Sequence, residues 1–274
     1  MTRFADLHIH THFSDSTSSP EEVVEQAHDN GLSCIAIADH DTVEGVGPTI
    51  EAAKKYDIEV LPAIELSSEI NGKDVHILGY LFDCGNAEFL GRIRRMQDSR
   101  MTRMKEMIGK LKELGIDNIS SEEVNGLTQS DSVGRPHLAA LLQEKGWVKT
   151  QQMAFNKYLA DDAPAFVPKF KQTPYEAIDL IRKAGGVAVL AHPMLTRVDE
   201  LIKSLVDAGL GGLEVYYPGN FDSVTQFYEG LAKKYGLLAT GGSDAHGNIK
   251  KHTYIGKIKI PYELVEKLKS ACVS

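Results

Sequence analysis

SCIAIADHD, residues 33–41, is a short apolar run that ends abruptly in two carboxylates around a histidine. The run is too short for a helix and is apolar on both faces, so it reads as a buried strand whose polar tail lies just beyond its C-terminal end. The same arrangement stands upstream in RFADLHIH, residues 3–10, and downstream in EVLPAIELS, residues 59–67. Between the first two runs, Ser19 and Pro20 open a helix whose apolar Val23, Val24 and Ala27 recur at helical spacing before Gly31 ends it. A second helix spans roughly 43–56. Strand then helix, repeated, is the grammar of an α/β fold.

Further along, Asn71-Gly72 marks a tight turn, after which Asp74 to Tyr80 reads as a strand pairing antiparallel with ELSSEI and carrying His76. A long helical pattern covers about 88–114, whose basic run RIRRMQDSRMTRMKEMIGKLK reads either as a solvated face beside a stripe of Met96, Met104, Met107 and Ile108 or as a face toward a polyanion such as a short oligonucleotide. The rhythm lapses from about 117 to 162, where short helical pieces at 136–145 and 151–160 predict an inserted helical subdomain. It resumes with a helix at 174–184, the strand GGVAVLAHP, a helix at 198–208, a strand at 212–217, a helix at 221–235 and a strand ending in GGSDAH. Residues 1–116 and 163–274 thus form one α/β domain of about seven βα units, barrel-like, and 117–162 an insert that recognises substrate. No GxGxxG follows a strand, which disfavours dinucleotide binding.

The 274 residues suffice for one large core. Three scattered cysteines, Cys34, Cys84 and Cys272, make neither a disulfide framework nor a thiolate metal site, and a reducing cytoplasm is the expected compartment. Polar groups at Asp6, His8 and His10 interrupt any N-terminal signal, and no apolar run approaches a membrane span. The formal charge of -8 offers no general attraction to nucleic acid or anionic lipid, so a phosphate ligand requires local positive charge.

The chemistry lies where histidines and acids fall. His8 and His10 follow the first strand, Asp39, His40 and Asp41 the second and Glu65 the third; His192 follows a later one, and Asp244 and His246 the last. In an α/β barrel these ends share one face. Residues at i and i+2 of an extended segment point the same way, so His8 with His10, and Asp244 with His246, each present two ligands to one centre. So many polar groups would be costly to bury without partners, and a polynuclear metal centre accounts for them together. Asp39 and Asp41 either orient His40 or an adjacent ligand, or cap the turn at Thr42 to Glu44, the reading favoured for Asp41. Arg135, beside Pro136 at a helix start, is the leading phosphate clamp, with Lys169 and Arg197 as further cations and His137 as an auxiliary that contacts phosphate, caps the helix or acts on a leaving group. Phe13 and Tyr217 lie where they either stack a base or close the core.

DLHIHTHFSDSTSSPEE, IAIADHDTVEG, PAIELS, DVHILGY, GGVAVLAHP and GGSDAH, spread over nearly the whole chain, resemble the successive motifs of the PHP (polymerase and histidinol phosphatase) family. The resemblance implies a distorted (β/α)7 barrel and two or three divalent ions. It places His8, His10, Glu65 and Asp244 around a first metal, with Glu65 bridging to a second held by His76 and His192, and Asp15, His40 and His246 around a third. Some relatives have histidine where this chain has Asp15. Nitrogen and oxygen donors suit Mn, Zn or Fe, and Mg less well. GRPHLAALL, LADDAPAFVP and the position of the insert resemble the bacterial subgroup of nucleoside 3',5'-bisphosphate phosphatases and 5'-to-3' oligoribonucleotide exonucleases.

The expected reaction is therefore removal of the 3'-phosphate from a nucleoside 3',5'-bisphosphate by a metal-bound hydroxide. Cleavage of short 5'-phosphorylated RNA, a histidinol-phosphate or sugar-phosphate phosphatase, and a nonenzymatic metal-bound interaction module are the alternatives. The expected ligand is a phosphorylated small molecule, and no required protein partner is inferred.

Overall fold

The computed structural model describes residues 2–127, 133–168, 172–249 and 252–272. Among these, eight strands make one sheet in the order β7-β6-β5-β4-β3-β2-β1-β8. The strands are β1 (Phe4–Ile9), β2 (Cys34–Ile37), β3 (Glu59–Ile70), β4 (Lys73–Tyr80), β5 (Val187–Leu190), β6 (Gly212–Tyr216), β7 (Leu238–Gly241) and the short β8 (Ile260–Pro261). Helices α1 (Pro20–Asp29) and α2 (Val46–Ala53) connect the first three strands, which run parallel. β3 and β4 form the expected antiparallel hairpin, joined at Asn71 and Gly72, both with positive φ, rather than by a helix. β4 also runs antiparallel to β5, and β5, β6 and β7 are parallel again. The barrel is consequently mixed.

Alternation along the strands sorts side chains into two sets. On β2 to β5, Ala36, Leu61, Ala63, Leu78, Tyr80 and Val189, with Ala38 and Ala191 just past the strands, share the interior cluster. The opposite parity packs outward. Ile35 and Ile37 meet Val23, Val24 and Val46, while Ile64, Ile77 and Leu190 share a cluster with Ile178 and Ile181 of α7 (Pro174–Lys183).

Between β4 and β5 the chain leaves the barrel along α3 (Ala87–Glu113), 27 residues or about 40 Å at 1.5 Å per residue. Asn86 caps its start by accepting from the Phe89 amide. Its second half contributes Met104, Met107, Ile108 and Leu111 to a separate hydrophobic cluster with α4 (Ser121–Asn125), α5 (Arg135–Glu144), α6 (Gln151–Ala154) and the π-helical turn Phe155–Leu159. After α7 come α8 (Pro193–Thr196), α9 (Ile202–Asp207), α10 (Asp222–Tyr235) and α11 (Tyr262–Cys272); the last escaped the sequence reading. No helix of the described residues is long and apolar enough to cross a membrane.

Closure depends on one close approach. Beyond β7 the chain runs beside β1: the Asp244 amide donates to the His8 carbonyl at 2.8 Å and the His10 amide to the Ala245 carbonyl at 3.1 Å. The buried Asp6 carboxylate accepts from the Ser243 and Gly256 amides, both at 2.8 Å. A Cβ on Gly242 would lie 2.3 Å from the His8 amide nitrogen, so only glycine lets the two backbones meet. Gly242→Ala should therefore open the seam, lowering stability by about 1–3 kcal/mol. Denaturant unfolding checks this, and a midpoint equal to that of the parent chain would contradict it.

Candidate metal centre

β1 ends in His8 and His10, whose side chains lie on one side of the extended backbone. Their Nε2 atoms are 3.1 Å apart. Both are 3.3 Å from Oε2 of Glu65, and Asp244 Oδ1 lies 3.2 Å from His10 Nε2 and 3.7 Å from His8 Nε2. Backbone pairing explains the convergence: the seam with β1 sets Asp244, while the ladder of β2 with β3 continues through His40 and Glu65. His8, His10, Glu65 and Asp244 are all buried and present four donor atoms to one point.

Two further groups adjoin this one. His40, Glu65 and His76 form the second, with His76 Nδ1 2.8 Å from Glu65 Oε1; His192 Nε2 reaches that same oxygen at 3.0 Å. His10, Asp15, His40 and His246 form the third, with His246 Nε2 3.3 Å from Asp15 Oδ1. His10, His40 and Glu65 are each shared between groups.

The donor set fits divalent cations. His10 Nδ1, His192 Nδ1 and Asp15 Oδ1 are buried without a hydrogen-bond partner, and imidazole and carboxylate with no thiolate suit borderline or hard ions. Charge within the cluster is tightly coupled. Burial opposes ionisation of Glu65, yet His40, His76 and His8 hold it well below the usual carboxylate range. Burial likewise opposes a charged His8, but Glu214 and Glu65 keep it well above the usual value. His10, similarly opposed by burial, is raised to about 9 through Asp244 and Glu65. Burial drives His40 the other way, to about 3.

A supporting layer orients these groups. Glu214 on β6 is fully buried; its Oε1 is 2.9 Å from His8 Nδ1, and its Oε2 accepts from the His192 amide at 2.8 Å. Sequence reading missed it, since a lone Glu inside GLEVYY carries no signal beyond being an acid in an apolar strand. The Tyr217 hydroxyl donates to Asp244 Oδ2 at 2.7 Å and the residue is buried, so it braces this carboxylate. Asp39 holds the loop that bears Asp15, accepting from the Thr11 amide and hydroxyl at 2.7 and 2.6 Å and from the Ser14 hydroxyl at 2.5 Å. Asp41 does not cap a helix. α2 starts at Val46 behind Gly45, and Asp41 instead accepts from the Ser67 amide and pairs with Arg100, because a buried carboxylate at positive φ finds these donors and no helix N-terminus.

Beside the centre lies a cavity of about 170 Å³ lined by Asp15, His40, Ser67 and His76 on the barrel side and by Arg100, Arg103, Gly134, Arg135, Pro136 and Phe155 on the other. Arg135 lines this cavity, its Nη1 held by the Leu159 carbonyl and by Asp161 at 2.8 Å. His137 is buried and its Nδ1 accepts from the Gly134 amide at 3.0 Å, so of its three expected roles this contact shows the capping one. Arg197 is exposed at the end of α8 and is not among the residues lining this cavity. Phe13 is half-buried against His12, and Lys169 lies outside the described residues. Arg100 and Arg103 were hidden in the basic run of α3, where nothing in the spacing separates an inward arginine from a solvated one.

A mixed barrel that gathers these groups on one face defines a metal-dependent phosphoesterase. The chain belongs to the PHP family, whose PHP domain profile matches residues 6–271. It is 32% identical over 251 residues to a 5'-3' exoribonuclease of Haemophilus influenzae, covering 90% of this chain and 91% of that one. It is 29% identical over 246 residues to a 3',5'-nucleoside bisphosphate phosphatase of Chromobacterium violaceum, covering 88% and 86%. A crystal structure assigned as a metal-dependent phosphoesterase from Bifidobacterium adolescentis superposes with a TM-score of 0.88 at 30% identity, covering 97% and 96%.

Replacing Glu214 by Gln should weaken metal retention roughly 10- to 100-fold, as expected when the outer partner of a ligating imidazole is neutralised. Chelator competition measures it, and wild-type affinity in a folded variant would remove Glu214 from the supporting layer.

Proposed function

We propose that this chain removes the 3'-phosphate of nucleoside 3',5'-bisphosphates, such as adenosine 3',5'-bisphosphate. The carrying observation is the arginine-lined cavity that opens directly onto Asp15, His40 and His76. Its cationic wall supplies the local positive charge that the acidic chain lacks overall. The bisphosphate phosphatase among the relatives supports the same choice.

In this reading His8, His10, Glu65 and Asp244 hold a first divalent ion, Glu65 with His76 and His192 a second, and Asp15, His40 and His246 a third, with Mn, Zn or Fe the best match to the donors. Bound there, such ions supply Lewis acidity and a nucleophile at neutral pH. The chain's own residues do the positioning. Tyr217 fixes the free oxygen of Asp244, Glu214 fixes the ring of His8, and Asp39 fixes the loop of Asp15. Arg135 grips phosphate through a planar fork that a lysine does not offer. Segment 117–162 acts as the substrate-recognition unit, since Gly134, Arg135, Pro136 and Phe155 form one wall of the cavity. The second reading, cleavage of short RNA from its 5' end, is favoured by the exoribonuclease relative.

Metal-reconstituted protein should release phosphate from adenosine 3',5'-bisphosphate and yield 5'-AMP faster than it acts on 3'-AMP, 5'-AMP or histidinol phosphate. Mononucleotide release from 5'-phosphorylated RNA without bisphosphate turnover would replace the first reading by the second. Arg135→Ala should lower kcat/KM for the bisphosphate roughly 10- to 100-fold, the worth of a charge-assisted contact. An unaltered value would remove the clamp.

A further inference from the structure

Three guanidiniums face the cavity, and their compensation is unequal. Arg100 pairs with Asp41 and also donates to the Ser67 hydroxyl and the Val133 carbonyl. Arg135 pairs with Asp161. Arg103 is 9% exposed, donates through Nε to the Val167 carbonyl at 2.6 Å, and leaves Nη2 buried with no hydrogen-bond partner. A neutral carbonyl does not balance a buried cation, and an unsatisfied buried donor in a native site calls for a ligand. Burial, then the nearby charges of Arg135 and Arg100, lower the Arg103 pKa to about 10 against the weaker opposing pull of Asp74 and Asp161.

We infer that Arg103 anchors a second phosphate of the substrate, one that is not cleaved and leaves with the product. The far wall of the same cavity is formed by Asp15, His40 and His76, so a ligand gripped by Arg103 extends toward the candidate metal centre from a fixed point. A phosphate, with several acceptor oxygens and up to two charges, matches converging guanidinium forks better than a single carboxylate does. Arg103 is thereby a specificity-determining binding residue: it selects phosphoesters carrying a second phosphate over simple monoesters. The inference rests on the bisphosphate reading above, and its test separates the two.

The experiment compares kcat/KM for adenosine 3',5'-bisphosphate and 3'-AMP in metal-reconstituted wild type, Arg103→Met and Arg103→Lys. The ratio of the two values should fall roughly 10- to 100-fold in Arg103→Met and recover in part in Arg103→Lys. Proportional losses on both substrates, an unchanged ratio, or a wild type indifferent to the second phosphate would each overturn the anchor. Calorimetric titration of the metal-free full chain with 5'-AMP reads the anchor without turnover. Weaker binding in Arg103→Met supports it even if the bisphosphate proves not to be hydrolysed, and equal affinity overturns it.

Discussion

One carboxylate organises the centre. Glu65 is buried, and five imidazoles, those of His8, His10, His40, His76 and His192, lie within 3.3 Å of its two oxygens. A carboxylate in such a place is tolerable only with compensating charge, so the ends of β1, β2 and β5 and the middle of β4 must all meet at one spot. The strand pairings serve that meeting. The β3 and β4 hairpin brings His76 beside Glu65, and the seam at Gly242 delivers Asp244 from the other side. Small interior residues such as Ala36, Ala38, Ala63 and Ala191 keep the barrel narrow enough for the contacts to form.

The cavity beside the centre has two walls of different origin. The barrel wall is acidic and imidazole-rich, whereas the helical wall is cationic, and Arg100 stitches them together through Asp41, Ser67 and the Val133 carbonyl. Asp41 follows His40 directly, so the tie that secures the helical wall also fixes the backbone beside one of the groups around Glu65. A shift of α3 would move the cavity wall and strain the Asp41 loop in the same step.

Much of this was legible before any coordinates. The apolar runs ahead of ADHD and SDAH located strand ends, and alternation put His8 and His10 on one side, but β3 does not end before IELS: it continues to Ile70, so Glu65 lies within the strand. The Asn71-Gly72 turn correctly announced a hairpin. Less legible were features that depend on partners distant in sequence. Glu214 and Tyr217 sit in an apolar strand and at its exit, and only packing shows that one steadies an imidazole and the other a carboxylate. Asp41 read as a cap because acids precede helices, but the helix starts four residues after Thr42 and the carboxylate turned to Arg100. The antiparallel alignment of β4 with β5 is invisible in spacing, since the long excursion between them conceals which way the chain returns.

The seam between β1 and the segment after β7 also dictates an order of events. The Asp6 carboxylate meets the Ser243 amide across a sequence separation of 237 residues, and His8 and Asp244 are neighbours for the same reason. Contacts that close so long a loop form late, after the entropy of the intervening chain has been overcome. During synthesis the two histidines emerge at the beginning and their acidic partner near the end. Until the segment after β7 has docked, a nascent chain carries His8, His10 and Glu65 without Asp244, so the first donor group is completed only as the fold closes.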